Sequence, residues 1–577
     1  MENKINKIVD LINRRRLFFF VGAGISIAKP SYLLSFRDLQ NEVIWALCQD
    51  LDDKLKTKYE DVYKEIKDGR ISSKIAKKFI DIPPEYVFQL LEQEVICKSE
   101  STNHYALEPL GAFRYALPNQ NHLFLAKLSI NEYIPAIFTS NFDLLIESAI
   151  KQLKEREKSK VTIKKYWRPE QFKRIKNIRS KIFKLHGCID DLDSIVISLH
   201  EVGKRCTYQK LKVFRHFLEN YYAFFSGYRG ADLDIFSYIA TTKCKGIIWN
   251  ALSEQDIIPK VKRMLEIQKS NVIIGNLCDI FKTLSSKLNF GKLELESTVG
   301  IKKREFSQDF CKWASRIKLS SKIVIMGDLW EYLGEWKKAI EFFGSGFKLA
   351  KKSKNKHVEN LFLGRLAGIF YKTGKYLEAR NTCNLLLDNA KDFPPLLRLS
   401  DYIVTLQLIG LIKAQTDIKK AIKLFTQSLE YQEELEKIDK ASKYRKSDIL
   451  LNAGNVFYRG GCLDEAIKCY KSALKIYDEF GDVHGRARVL SNIGNLLLHK
   501  NKFDDCIFFY REAEYLSDET GDIFELSRIL LNLAIAYYKK RINQRAREYA
   551  YKALEYFNIL CDKKGSGRTI KLIQNLK

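Results

Sequence analysis

Four short segments of this chain place polar groups at the ends of apolar runs. Residues 18–26 read FFFVGAGIS, an apolar run that ends in Gly22-Ala23-Gly24 and enters a predicted helix. Such a turn can be a tight strand-to-helix connection and no more. It can also present backbone N–H groups to a phosphate, with the Ser26 hydroxyl as a further donor. Residues 138–143 read FTSNFD. Asn141 offers both a donor and an acceptor, suited to a hydroxyl or a water. Asp143 can stabilise a developing positive centre, or cap the helix that continues as LLIESAI. Residues 183–187 read FKLHG. Imidazole titrates near neutrality, so His186 can take a proton from a hydroxyl or a water. A histidine satisfied at a core edge is the plainer alternative. Residues 224–236, FFSGYRGADLDIF, repeat the strand-turn-helix grammar and contribute Gly227, Tyr228 and Asp232, the last also suited to an N-cap.

Ligands of open α/β sheets lie outside the carboxyl ends of the strands, so a single sheet must bring these segments together. The pattern predicts an amphipathic helix over residues 1–15, with Ile5, Ile8, Leu11 and Ile12 on one side. Strands are predicted at 17–21, 134–139, 181–185 and 245–250, the last taken as the final one. Helices are predicted within 38–75, after Pro83-Pro84-Glu85, and over 119–128; the Lys/Arg-rich residues 151–180 read as a mostly exposed insertion. Strands alternating with helices over roughly 250 residues argue for a parallel sheet covered on both faces, an α/β doubly wound, Rossmann-like domain.

The pattern then changes. Residues 261–320 read as a helical linker between a domain at 1–260 and a helical array at 321–577. In that array small residues recur at Gly327, Ala367, Gly454, Gly494 and Ala534, and a second series runs Ala339, Ala379, Ala421, Ala466, Cys506 and Ala546. Steps of 40 separate Gly454, Gly494 and Ala534. Aromatic residues such as Trp330, Phe370 and Phe457 follow the first small residue by three, on the same helix face. About six units of two helices are expected, the third degenerate around 409–429. One helical hairpin cannot bury its apolar face alone, so such units stack; a non-repeating bundle is the alternative.

The chain of 577 residues, 46% hydrophobic, is long enough for two or more packed domains. No apolar run approaches a membrane span, and the charged N-terminus, MENKINKIVDLINRRR, has no signal-peptide pattern. Twelve cysteines without a C-x-x-C pair suit a reducing, cytoplasmic setting. The net charge of +28 is spread over both halves. It reads as solvated basic faces, or as attraction to an acidic partner or nucleic acid, although no nucleic-acid motif accompanies it.

Taken together, G-A-G-I-S, T-S-N-F-D and the His-Gly dyad resemble the NAD pocket of the sirtuin family over roughly residues 10–255. The resemblance implies NAD as ligand and Asn141 and His186 as the catalytic pair. It implies cofactor contacts from Gly22, Ala23, Gly24, Ser26, Thr139, Asp143, Gly227 and Asp232. Phe36 would shield the nicotinamide end and Arg37 would contact the cofactor or its phosphates, unless Arg37 is a surface arginine. Arg229 stands where the family pattern has a serine, which weakens the adenosine-side assignment. Deacylases of the family carry two C-x-x-C pairs for zinc after the His-Gly dyad. This chain has Cys188 and Cys206, 18 apart, so neither zinc nor an acyl-peptide groove is expected. The P-P-E segment, the N-H-x-x-L-A-x-L stretch from Asn121 and the S-N-F-D variant look closer to bacterial antiphage effectors whose sirtuin-like domain hydrolyses NAD. The array resembles the tetratricopeptide repeat with a period longer than 34. The resulting expectation is an NAD glycohydrolase gated through a repeat domain that senses a protein trigger, such as a phage protein, or mediates assembly, including with copies of itself. A deacylase or ADP-ribosyl transferase, and a non-catalytic cofactor-sensing scaffold, are the alternatives.

Overall fold

The computed structural model describes residues 2–51, 53–68, 72–79, 82–95, 105–173, 175, 181–196, 208–230, 235–291, 293, 306–520, 522–560 and 562–576. Two compact units result, one of residues 1–50, 59–317 and 558–561, the other of 51–58, 318–557 and 562–577.

The first unit is built on seven parallel strands: β1 (Leu17–Val21), β2 (Ala136–Thr139), β3 (Lys164–Tyr166), β4 (Lys181–Lys184), β5 (Tyr222–Ser226), β6 (Ile247–Ala251) and β7 (Asn271–Ile274). Their order is β3-β4-β2-β1-β5-β6-β7. In register, Phe20 pairs with Phe138 on one side and Phe225 on the other. Thirteen helices accompany the strands among the described residues: α1 (Glu2–Asn13), α2 (Phe36–Gln49), α3 (Asp53–Asp68), α4 (Lys74–Phe79), α5 (Pro84–Val95), α6 (Gln120–Ile130), α7 (Leu145–Glu157), α8 (Pro169–Phe172), α9 (Tyr208–Asn220), α10 (Ile235–Thr241), α11 (Pro259–Ile267), α12 (Leu277–Lys287) and α13 (Phe306–Ala314).

All five residues of β1 are buried, as a strand covered on both faces requires. Phe19 and Val21 pack with Leu123, Phe124, Ile146, Ile280 and Phe281 from α6, α7 and α12. Phe18 faces the other way, against Phe214 and Phe217 of α9 at ring separations of 6.3 and 5.6 Å. From β1 the chain builds β2 to β4 on one side, then crosses over to β5 on the other. The reversal makes the carboxyl end of β1 the switch point of the sheet, where such folds hold ligands.

Two expectations change here. Residues 164–166 of the basic stretch form the edge strand β3, because Lys164 and Lys165 project their charges to solvent while the backbone pairs with β4. The sheet also continues past residue 260: β7 pairs with β6, and α12 buries Ile280, Phe281 and Leu284 in the same core as Phe19. The linker reading of 261–320 is therefore corrected for this part. The short, charged α11 before β7 hid a strand of only four residues.

The second unit contains six helical hairpins and a last helix: α14 (Leu319–Tyr332) with α15 (Trp336–Lys352), α16 (Lys356–Lys372) with α17 (Tyr376–Ala390), α18 (Pro395–Lys413) with α19 (Ile418–Ile438), α20 (Lys443–Arg459) with α21 (Leu463–Phe480), α22 (Val483–His499) with α23 (Phe503–Thr520), α24 (Ile523–Lys539) with α25 (Asn543–Ile559), and α26 (Lys563–Asn575). In several hairpins a glycine of the first helix makes room for a ring from the second, as Gly327 does for Phe343. A Cβ at Gly454 or Gly494 would lie 2.5 or 2.6 Å from Tyr470 or Tyr510. Those tyrosine hydroxyls donate to Asn455 and Asn495 at 2.8 and 2.7 Å. Asp482, Asp522 and Asp562, again 40 apart, cap α22, α24 and α26 through their side chains, each such cap contributing about 1 kcal/mol. The degenerate third unit still closes as α18 packed on α19. Among the described residues α18 is the one helix long and apolar enough to cross a membrane; Leu399, Ile403 and Leu406 on it are buried in the array.

Candidate functional site

At the switch point lies a cavity of about 630 Å³, lined among others by Ala23, Gly24, Ser26, Arg37, Asn141, Asp143, His186, Gly227 and Arg229. Apolar walls with a few convergent polar groups at this volume fit a ligand of cofactor size.

Each polar group is held by its neighbours. Asn141 follows β2; its N–H donates to the Thr139 hydroxyl at 2.9 Å, and its Nδ2 donates to the Gly22 carbonyl at 3.3 Å. One amide hydrogen is thus committed to the β1 turn. The other, with Oδ1, is suited to orienting a hydroxyl or a water. Thr139, expected among the cofactor contacts, stands one layer back: it is fully buried, and its hydroxyl donates to the Val21 carbonyl at 2.9 Å while bracing Asn141. Asp143 divides its oxygens. Oδ1 accepts from the Leu145 N–H at 3.0 Å at the start of α7, and Oδ2 accepts from the Ser26 hydroxyl at 3.3 Å. The N-cap of α7 is Leu144, and Asp143 supports the first turn from the residue before it.

His186 follows β4 and is 7% exposed. Its carbonyl accepts from Val196 N–H at 2.9 Å, and Gly187 turns the chain with φ +96°. A Cβ on Gly187 would meet the Ser194 carbonyl oxygen at 2.1 Å, so the dyad needs glycine for both conformation and space. Farther along the loop, Trp167 Nε1 and Arg168 Nε donate to Asp191 Oδ2 at 2.7 and 2.6 Å. The guanidinium holds the Asp191 carboxyl below its ordinary range, and Arg114 donates to the Ile189 carbonyl at 2.7 Å.

The glycine turn is used differently from the phosphate-cradle expectation. The N–H groups of Gly22 and Gly24 donate to the Ser226 and Gly227 carbonyls at 3.0 and 2.9 Å. A Cβ on either would meet the backbone of Gly227 within 2.5 to 2.7 Å. Glycine is thus required by the close approach of the β1 and β5 turns. Ser26 is buried, and its Oγ lies 3.1 Å from Nε2 of His122. Nδ1 of His122 accepts from the Asn119 N–H at 3.0 Å, which assigns the hydrogen to Nε2. Burial, reinforced by the Lys184 charge, pushes the His122 pKa down to about 3. His122 is therefore a neutral donor to Ser26 across the physiological range.

Arg37 lines the cavity while its Nη1 donates to the carbonyls of Phe79 and Ile82, at 3.3 and 2.7 Å, and to Gln40. It ties α2 to the segment leading into α5. The Phe36 side chain, Asp232 and Cys206 lie outside the described residues. Cys188 is buried, and its thiol pKa is raised by that burial. The described residues contain no group of three or more His, Cys, Asp or Glu arranged to hold a metal ion.

Sequence reasoning missed one end of the cavity: Asn250, Asp256, Asn276 and Cys278 line it from the ends of β6 and β7. Asn250 Nδ2 donates to the carbonyls of Ile273 and Gly275 at 3.2 and 3.1 Å, locking β7 to β6. Glu85, quoted only as part of the P-P-E break, is another lining residue.

Comparison with known proteins adds to this geometry. A family model described as a SIR2-like domain matches residues 135–245, the stretch that carries Asn141, Asp143, His186 and Gly227. A tetratricopeptide repeat model matches residues 446–516. The chain carries a SIR2-like domain followed by tetratricopeptide repeats. SIR2-like domains are typically NAD-dependent enzymes, and tetratricopeptide repeats generally mediate protein interactions. No curated protein matches the chain. Among solved structures, BtubC (BKLC) from P. vanneervenii is 18% identical and covers 39% of this chain and 92% of its own, at a TM-score of 0.35. A Rap protein complexed with competence and sporulation factor is 14% identical, covering 52% of this chain and 92% of its own at a TM-score of 0.33. The apo form of RapI is 11% identical, covering 44% and 98%, also at 0.33.

Proposed function

We propose that the SIR2-like domain is an NAD glycohydrolase, held off until a trigger acts on the repeat domain. The observation that carries this reading is the convergence of Asn141, Asp143 and His186 with the Gly24–Ser26 turn on one cavity at the sheet's switch point. NAD lies extended across that point. As the C–N glycosidic bond breaks, its electron pair leaves with nicotinamide. Water oriented by Asn141 attacks the anomeric carbon, and His186 accepts its proton, giving ADP-ribose. The Asp143 carboxylate lines the same cavity and would stabilise the positive charge that develops. Arg229, exposed and lining the same cavity, is a cation that would meet the phosphates.

A chain that consumed NAD without restraint would exhaust its own cell. That requirement supports a gate, and with it the role of an antiphage effector whose repeats receive a protein signal such as a phage protein. The test is purified protein with NAD, with and without candidate triggers. Free nicotinamide and ADP-ribose without an acylated acceptor are expected. Asn141→Ala and His186→Ala each abolish turnover with an unchanged melting profile. Transfer of ADP-ribose to a protein, dependence on an acyl-peptide, or normal rates in either variant overturns the reading.

A further inference from the structure

The sheet domain buries two lysines whose ammonium groups end on backbone carbonyls beside the site. Lys184, the last residue of β4, has a side chain 1% exposed; it donates to the carbonyl oxygen of Asp143 and lies 3.2 Å from Glu147 Oε1 on α7. Lys210 on α9, also 1% exposed, donates at 2.9 Å to the carbonyl of Leu185, the residue before His186. Side chains alternate along a strand, so Ile182 and Lys184 share the face turned to α7 while Phe183 faces α9. An aliphatic residue at 184 would continue the core that Ile182 joins. An ammonium there bears a heavy desolvation cost unless paired and hydrogen-bonded. Burial pulls the Lys184 pKa down, but Glu147 and Asp143 outweigh it and hold the group above its ordinary value, so it is charged.

We propose that Lys184 is a positioning residue: it hangs the turn of residues 140–143 from the strand that carries His186, and thereby fixes Asn141 relative to His186. The bond spans the two elements whose relative placement the chemistry needs. β2 and β4 are adjacent strands, and beyond them the Leu185 and Ile189 N–H groups donate to the Thr139 and Phe142 carbonyls at 2.9 and 2.8 Å. The Lys184 ammonium adds a side-chain tie to the Asp143 carbonyl at the end of the same turn. The role rests on the NAD-hydrolase reading for its turnover arm, but its structural arm stands apart from that reading.

The test is the pair Lys184→Met with Glu147→Leu, which removes both buried charges together. If the lysine only balances Glu147, the double variant keeps both its melting temperature and its turnover. Positioning predicts a kept melting temperature, a KM for NAD within about threefold, and a kcat lowered by about a hundredfold, the scale of a small misplacement of reacting groups. Backbone amides of residues 140–145 should also exchange hydrogen faster than in the wild type. Glu147→Gln alone retains Lys184 and should keep kcat within about threefold; a loss as large as that of the double variant overturns the proposal. Should the double variant fail to fold, Lys184→Gln is read by the same criteria. If the wild type releases no nicotinamide under any trigger, the hydrolase reading fails. Hydrogen exchange then decides the positioning role, and unchanged protection of residues 140–145 overturns it.

Discussion

Ser26 is the meeting point of a neutral imidazole and a carboxylate, with His122 on one side of its hydroxyl and Asp143 on the other. Such a cluster invites comparison with a nucleophilic triad, but the order of bonds is wrong for one. His122 takes its Nδ1 bond from a backbone N–H, and Asp143 bonds the serine instead of the ring. The cluster orients groups and does not activate an oxygen. It has a measurable consequence. The unfolded chain protonates His122 near pH 6.5, whereas the folded chain resists until about pH 3. Unfolding therefore takes up a proton anywhere between these values, so stability from this residue is full above 6.5 and falls as the pH is lowered toward 3. The slope is at most about 1.4 kcal/mol per pH unit. In urea titrations between pH 7.5 and 4.5, His122→Gln should be less stable at pH 7.5 but flatter in its pH dependence. An identical slope in both proteins would count against the assignment. Ser26 and Asp143 stood out in the sequence through their motifs, while His122, one residue into the N-H-x-x-L-A-x-L stretch, could not be given a partner from spacing alone.

At the scale of elements, β1, β2, β4, β5 and β6 were each legible as short apolar runs before turn residues. β3 and β7 were not. Each is an edge strand with polar or half-exposed positions, whereas the equally short β2 and β4 are buried throughout. Their helices show why β7 matters. The Phe281 ring of α12 lies 4.5 Å from Phe124 and 6.0 Å from Phe19. Ile280, Phe281 and Leu284 are fully buried, each contributing about 1.5 to 3 kcal/mol by removal from water. A chain ending at residue 260 should therefore lack a cooperative melt and expose apolar surface to a hydrophobic dye. One ending at residue 317 should melt cooperatively. Equal behaviour of the two would place the end of the sheet domain back at 260. In the array, repeat spacing gave the hairpins, but the ring seated over a glycine such as Gly454 or Gly494 comes from the facing helix, a contact that a single-helix pattern cannot reveal.

For the whole molecule, the charge of +28 raises the question of a polyanion partner. Lysines such as Lys372 and Lys500 are paired with Glu331 and Asp464 within the repeats, acids that the net charge already counts. Binding to duplex DNA should be weak and non-specific, and should fall at least about tenfold between 50 and 200 mM salt in an anisotropy titration. An affinity that survives the salt increase would instead mark a built nucleic-acid face. What the sequence by itself determined was local: which runs are strands, which turns need glycine, where small residues recur, and which polar types stand at strand ends. These follow from periodicity and residue chemistry within a few neighbours. Only the tertiary structure decided that the Gly22 and Gly24 amides serve the β5 turn, that Arg37 holds carbonyls, that Thr139 stands behind Asn141, and that a buried lysine of β4 bonds the turn after β2. Each of these depends on which groups from distant segments satisfy one another's hydrogen bonds. That pairing is fixed when the chain packs, because a buried polar group takes whatever partner the fold brings within reach.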